Sequence, residues 1–138
     1  MTIIRKLANT KEGVPSAKVV YYLENDGTVP IVEWLARMPR KARAKCQAYL
    51  ARLQSEGHEL RRPIADYLRE GIHELRPSLG GVHYRILYFF HGNDAVVVSH
   101  GLTKERRIPA MEIERAVKRM EQFRSDPRRH TFVPAEGE

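Results

Sequence analysis

The stretch from Val82 to His91 constrains the fold more than any other part of the chain. Its sequence, VHYRILYFFH, is rich in β-branched and aromatic residues, with polar residues alternating at its start, which is the pattern of a strand. Gly80-Gly81 precede it and Gly92-Asn93-Asp94 follow it, and such residues at hairpin distances mark turns. Ala95–Leu102 is rich in valine and reads as the next strand, so the two are expected to pair antiparallel. Successive side chains alternate across a strand. Val82, Tyr84, Ile86, Tyr88 and Phe90 therefore share one face, expected to be the core face, while His83, Arg85, Leu87 and Phe89 share the other. That second face is polar at its start and apolar at its end.

The flanking sequence supplies helices for this sheet. Lys18–Leu23 is β-branched and aromatic and reads as a first strand, stopped by Asn25-Asp26-Gly27. Thr28 is the expected cap of a short helix with Pro30 in its first turn; Ile31, Trp34 and Leu35 recur at helical spacing before Met38-Pro39 ends it. A second helix is predicted over 40–56. Ala42, Cys46, Tyr49, Leu50 and Leu53 form its apolar stripe, its basic residues lie mostly off that stripe, and Gly57 stops it. Arg61-Arg62-Pro63 opens a connector to a short strand, Ile72–Pro77, and a final helix is predicted over 109–124. The expected fold class is α+β, in the order strand, helix, helix, three antiparallel strands, helix. Helices should cover one face of the sheet, since a sheet buries at least one face against another layer, and the other face should be partly open. Trp34, Leu50, Leu75, Ile86 and Val97 are expected to be buried. Residues 1–17 read as an N-terminal arm, 18–125 as the domain and 126–138 as a C-terminal tail.

A chain of 138 residues suits one such domain. Cys46 is the sole cysteine, which excludes an intramolecular disulfide and a cysteine-rich zinc site. No apolar run approaches the length of a membrane span, and the N-terminus has no secretory apolar core. These features lead to the expectation of a cytoplasmic protein. The formal charge is +7 and the pI is about 9.8, which suits either an acidic partner such as nucleic acid or a merely solvated basic surface. There is no P-loop, no dinucleotide-binding glycine fingerprint, no H-E-x-x-H and no serine in a nucleophile-elbow context. The six histidines have no recognisable metal spacing, so neither a metal nor a cofactor is expected.

Candidate chemistry lies on the second face of the sheet. Strand parity places Glu74 and Arg76 on one face of their strand, and His83 and Arg85 on one face of theirs, so all four can converge. Two arginines on neighbouring strands suit a phosphate, because each guanidinium is a planar fork of donors that stays charged. A cross-strand ion pair of Glu74 with Arg85 or Arg76 serving only the sheet fits the same pattern. Lys104, Arg106 and Arg107, interrupted by Glu105, make a second basic cluster after the last strand.

The stretches HELR (73–76) and VHYRILYFF (82–90) resemble the central core of HigB-type, phage-derived toxins of the RelE/ParE superfamily. The segment from His100 through Lys104 to Pro109 and Glu112–Ala116 resembles their strand, lysine loop, proline and helix. The likeness spans roughly residues 18–123. It implies a RelE/ParE-like fold and the toxin of a type II toxin–antitoxin pair, held in check by a cognate helix-turn-helix antitoxin. It also implies an endoribonuclease that cuts messenger RNA in the ribosomal A site, the ribose 2′-OH attacking the adjacent phosphate as the 5′ oxygen leaves. On that likeness Arg85 is the first choice for phosphate contact, with Arg76 and Lys104 in support and Arg106 and Arg107 as RNA contacts. The likeness leaves the general acid and base open; strand parity puts His83, and not Tyr84, on the arginine face as a candidate. The family commonly has a second lysine where this chain has Glu105. Some members of the superfamily poison DNA gyrase instead of cutting RNA, which is the rival reading.

Overall fold

The computed structural model describes residues 18–93, 95–104 and 107–135, without the side chain of Lys104. The arm expected over 1–17 lies outside the described residues, as do Arg106 and the last residues of the expected tail. The protein is a small mixed α+β domain with three α-helices and a seven-stranded sheet among the described residues. In chain order these are β1 (Lys18–Tyr22), α1 (Pro30–Ala36), α2 (Arg40–Glu56), β2 (Ala65–Arg69), β3 (Ile72–Leu75), β4 (Ser78–Leu79), β5 (Val82–His91), β6 (Ala95–Lys104), α3 (Ala110–Ser125) and β7 (Thr131–Phe132). A short 3-10 turn, Gly57–Glu59, follows α2.

The sheet order is β2-β3-β5-β6-β1-β7, with β4 paired to β5 as well. The β5–β6 hairpin stands at the centre and is antiparallel, as its turn residues demand; β1 lies parallel to β6. α1 and α2 cover one face. Trp34, Leu35, Cys46, Leu50 and Leu53 pack there against Val19, Leu75, Tyr84, Ile86, Tyr88, Val96 and Val98. Gly57 ends α2 with a positive φ of 51°, a conformation that costs a glycine little. Trp34, Leu50, Leu75, Ile86 and Val97 are all buried.

Four expectations change. First, the sheet has seven strands rather than four, because β2, β4 and β7 join it. β2 reads ADYLR, without a β-branched residue, and is held as an edge strand by its pairing to β3. β4 and β7 have two residues each, too few for any periodicity. Second, the far side of the sheet is not left open along Leu87 and Phe89. α3 lays Ile113, Ala116, Met120 and Phe123 across them and across Val20, Tyr22, Ile72 and Val97. Third, the segment read as a tail closes onto β1: Phe132 stacks on Tyr21 at 6.1 Å and the buried His130 stacks on Tyr22 at 5.0 Å. Fourth, Thr28 does not cap α1. Val29 holds that position without a side-chain bond, and the Thr28 hydroxyl donates instead to Asp26 Oδ1 at 2.9 Å.

One irregularity redirects the side chains of β6. The register with β5 slips between Leu87 and Tyr88, which pair with His100 and Val98. Ser99 is the extra residue of a β-bulge, which reverses the alternation beyond it. His100 and Leu102 consequently lie on the α3 face, beside Leu87 and Arg85. Gly101 lies under Trp34 on the helical-hairpin face, so close that a Cβ there would sit 2.3 Å from the indole Cε3.

Candidate functional site

The charged group on the α3 face is assembled by three neighbouring strands. Register sets Asp66 of β2 beside Glu74 of β3, and Glu74 beside Leu87 of β5, two residues along from Arg85. Glu74 accepts a hydrogen bond from Arg76 Nη1 at 2.7 Å. Its other oxygen lies 3.3 Å from Arg85 Nε. That distance makes an ion pair, yet the two atoms are misaligned for a hydrogen bond, and both are shielded from solvent with no hydrogen-bond partner among the described residues. Arg85 Nη1 donates to the carbonyl of Tyr84 at 2.7 Å. At the rim, Arg62 Nε donates to Asp66 Oδ2 at 2.8 Å.

Burial separates the members of this cluster. Glu74 and Arg85 are each 3% exposed, whereas the Arg76 side chain is 20% exposed. Burial lowers the Arg85 guanidinium below its usual value, as does the charge of Arg76, while Glu74 opposes both. The Asp66 carboxyl is held below its usual value chiefly by the hydrogen bond from Arg62. Two arginines share the Glu74 carboxylate and Arg62 is matched by Asp66, so the cluster keeps one net positive charge.

Of the residues singled out in the sequence, the fold brings Arg76 and Arg85 together around Glu74. Arg85 is buried in that cluster rather than displayed on an open face. His83 is exposed on the same face, and its side chain makes no hydrogen bond or ion pair among the described residues. Backbone register sets His83 opposite Lys104. Arg107 is exposed in the connection from β6 to α3. Asp66 and Arg62 escaped the sequence reading because β2 did.

A second polar group ties α3 to the sheet. His100 Nε2 lies 2.9 Å from Glu112 Oε1, and its Nδ1 lies 2.8 Å from Ser99 Oγ and 3.1 Å from Arg119 Nη1. Arg119 is anchored by Glu24 at 2.7 Å. An arginine N–H facing Nδ1 leaves that nitrogen as an acceptor, so the proton sits on Nε2 and the ring is neutral. Burial, then the Arg119 charge, pushes the His100 pKa down to about 4. The serine, histidine and glutamate are in sequence as in a nucleophilic triad, but Ser99 is fully buried. No substrate reaches its hydroxyl, and the group acts as a structural tie.

Among the described residues no three or more His, Cys, Asp or Glu side chains are placed to hold a metal ion. No described helix is long and apolar enough to cross a membrane. The chain matches nothing among the curated proteins with which it was compared. A family profile described as phage-derived protein Gp49-like (DUF891) matches residues 33–121. That match covers well over half of the chain, from α1 to α3, and includes Glu74, Arg76 and Arg85. The protein therefore belongs to the Gp49-like family of phage-derived proteins.

Proposed function

We propose that this protein is the toxin of a type II toxin–antitoxin pair, with a HigB-like, RelE/ParE-type fold, and that it cuts messenger RNA on the ribosome. The observation that carries the reading is the excess positive charge where Arg76 and Arg85 share Glu74. The Gp49-like membership and the arrangement of helical hairpin, central antiparallel strands and final helix support it. The reaction is attack of the ribose 2′ oxygen on the neighbouring phosphorus. A 2′,3′-cyclic phosphate forms, and the 5′ oxygen leaves with a proton. Its demands on a protein are charge stabilisation at the phosphate and proton transfer at two oxygens. The ribosome supplies substrate positioning, so a sparse site suffices.

Burial divides the roles. Arg76, partly exposed, meets the phosphate. Arg85 acts as a positioning residue, fixing Glu74, which in turn aims Arg76. His83, exposed two residues along the same face, exchanges the proton. Lys104, Arg106 and Arg107 contact the RNA backbone, and the antitoxin opposes the toxin from outside.

Expression in cells followed by mapping of transcript ends tests this, with DNA supercoiling by gyrase assayed in parallel. Removal of one electrostatic contact to a transition state typically slows a reaction by about 100- to 1000-fold, and that is the loss expected for Arg76→Ala. Arg76→Lys, which keeps the charge but not the fork, should retain part of the activity. Growth arrest without new transcript ends, accompanied by loss of supercoiling, would replace the nuclease with gyrase inhibition.

A further inference from the structure

A second surface, on the opposite face of the sheet and at its opposite edge, has the character of a docking site. A slot of about 270 Å³ opens between α1, α2 and β7. Val32, Leu35 and Ala36 form one wall, Phe132 another, and Arg43 and Gln47 the third. Val32 is 38% exposed at this slot, an aliphatic side chain left in water where a helix face would ordinarily be polar.

Cations are concentrated in the chain that leads from α1 into α2, and Arg43 among them lines the slot. Between Glu33 and Glu56 the chain has no acidic residue, while Arg37, Arg40, Lys41 and Arg43 fall in its first half. Arg37, Arg40 and Lys41 are exposed. Three of these cations crowd the first turn of α2, which has no acidic residue to offset them. A helix N-terminus already carries partial positive charge, so cations there are unfavourable. Arg43 gives one N–H to the Met38 carbonyl at 3.2 Å, and its Nε has no acceptor among the described residues. Among the described residues β7 ends the sheet order and pairs with β1 alone, and an outer edge of this kind can offer backbone groups to an extended chain.

We infer that this slot docks an acidic peptide segment of a partner protein, with one apolar side chain anchored between Val32, Leu35 and Phe132 and carboxylates facing Arg37, Arg40 and Lys41. A nucleic-acid backbone would satisfy the cations but leave the aliphatic slot unfilled; a peptide of this kind uses both. The arginine cluster around Glu74 lies across the sheet and is not covered. The inference therefore stands or falls separately from RNA cleavage.

The test uses the full chain and a fluorescein-labelled peptide rich in glutamate around a central leucine, read by anisotropy. Ala36→Trp fills the slot from an exposed position, and Arg40→Glu with Lys41→Glu reverses the charge without touching the core. Each should weaken binding by about tenfold or more; so should replacing the peptide leucine by serine, and raised salt should weaken binding further. Val32→Glu gives an independent block of the slot. Binding unchanged by the slot-filling variants overturns the inference. So does a labelled oligoribonucleotide that binds in place of the peptide and responds to charge reversal alone. Peptide binding that appears only after removal of residues 1–17 would show the chain's own segment to be the occupant, and overturns it too.

Discussion

On the helical-hairpin face of β5, Tyr84, Ile86 and Tyr88 meet apolar and aromatic partners from α1 and α2. On the α3 face the same strand buries Arg85 beside Leu87 and Phe89. Both sets are equally shut off from water, yet they hold the fold differently. The first gains stability from apolar area removed from water. The second must hold a guanidinium in place, and among the described residues its anionic partner is one carboxylate that Arg76 also claims. A buried ion pair seldom adds more stability than an apolar pair of the same shape would, but breaking it leaves an orphaned charge. Under the proposed function such a pair serves geometry, and the geometry here is the aim of Arg76.

Substitutions on the two faces sharpen this contrast. Glu74→Ala should have the largest effect, about 3–5 kcal/mol, because Arg85 is then buried without a counter-ion. Chemical denaturation measures it, and a cost below about 1 kcal/mol, the range of solvated pairs, would mean that water reaches Arg85. Glu74→Gln should fall between that variant and the parent. Ile86→Ala on the hairpin face should cost about 2–5 kcal/mol through lost burial and the cavity left behind. Salt should alter neither cost appreciably, because the pair is shut off from water; a strong salt response of the Glu74 variants would mean that solvent reaches the pair.

Much of this arrangement was legible in the sequence. Alternation in Val82–His91 separated the two faces correctly, because period two is fixed by backbone geometry. The α2 boundaries follow from Pro39 and Gly57, whose backbone preferences act locally. The same parity placed Glu74, Arg76 and Arg85 on one face. It could not say how deep each lies, because depth depends on what packs above, and α3 returns over that face from far along the chain. β2 and β7 were invisible for a related reason: partners, not their own residues, hold them in the sheet. The Ser99 bulge left no local mark either, so the change of face at His100 and Gly101 was lost with it.

Gly101 offers a more modest way to break the comparison. Strand parity without a bulge would put it on the α3 face, away from Trp34. In the structure an added Cβ would meet the indole at 2.3–2.6 Å. Gly101→Ala should therefore force Trp34 aside and cost about 1–3 kcal/mol, the usual range for overpacking. Tryptophan fluorescence should shift with it. A neutral substitution with an unchanged spectrum would remove the bulge and return His100 to the opposite face.

The smallest effect comes from acid, and it reads the α3 face alone. His100 has its pKa lowered to about 4 by burial and by Arg119, against about 6.5 in an unfolded chain. Between these values the unfolded state binds the proton and the folded state does not, so stability rises with pH across that window. It is fully present above the unfolded value and is lost as pH falls from about 6.5 towards about 4. From neutral pH to about pH 5 the loss should be about 1–2 kcal/mol from this residue. His73 adds in the same direction, its pKa lowered by burial and by His58. Denaturation midpoints measured across the window should slope downward towards acid. His100→Gln, which is neutral at every pH, should flatten most of that slope, while Arg119→Gln should only reduce it by relieving one of the causes, burial being the largest. A slope left intact in His100→Gln would assign the acid sensitivity to another group and leave the tie between α3 and the sheet without its titrating member.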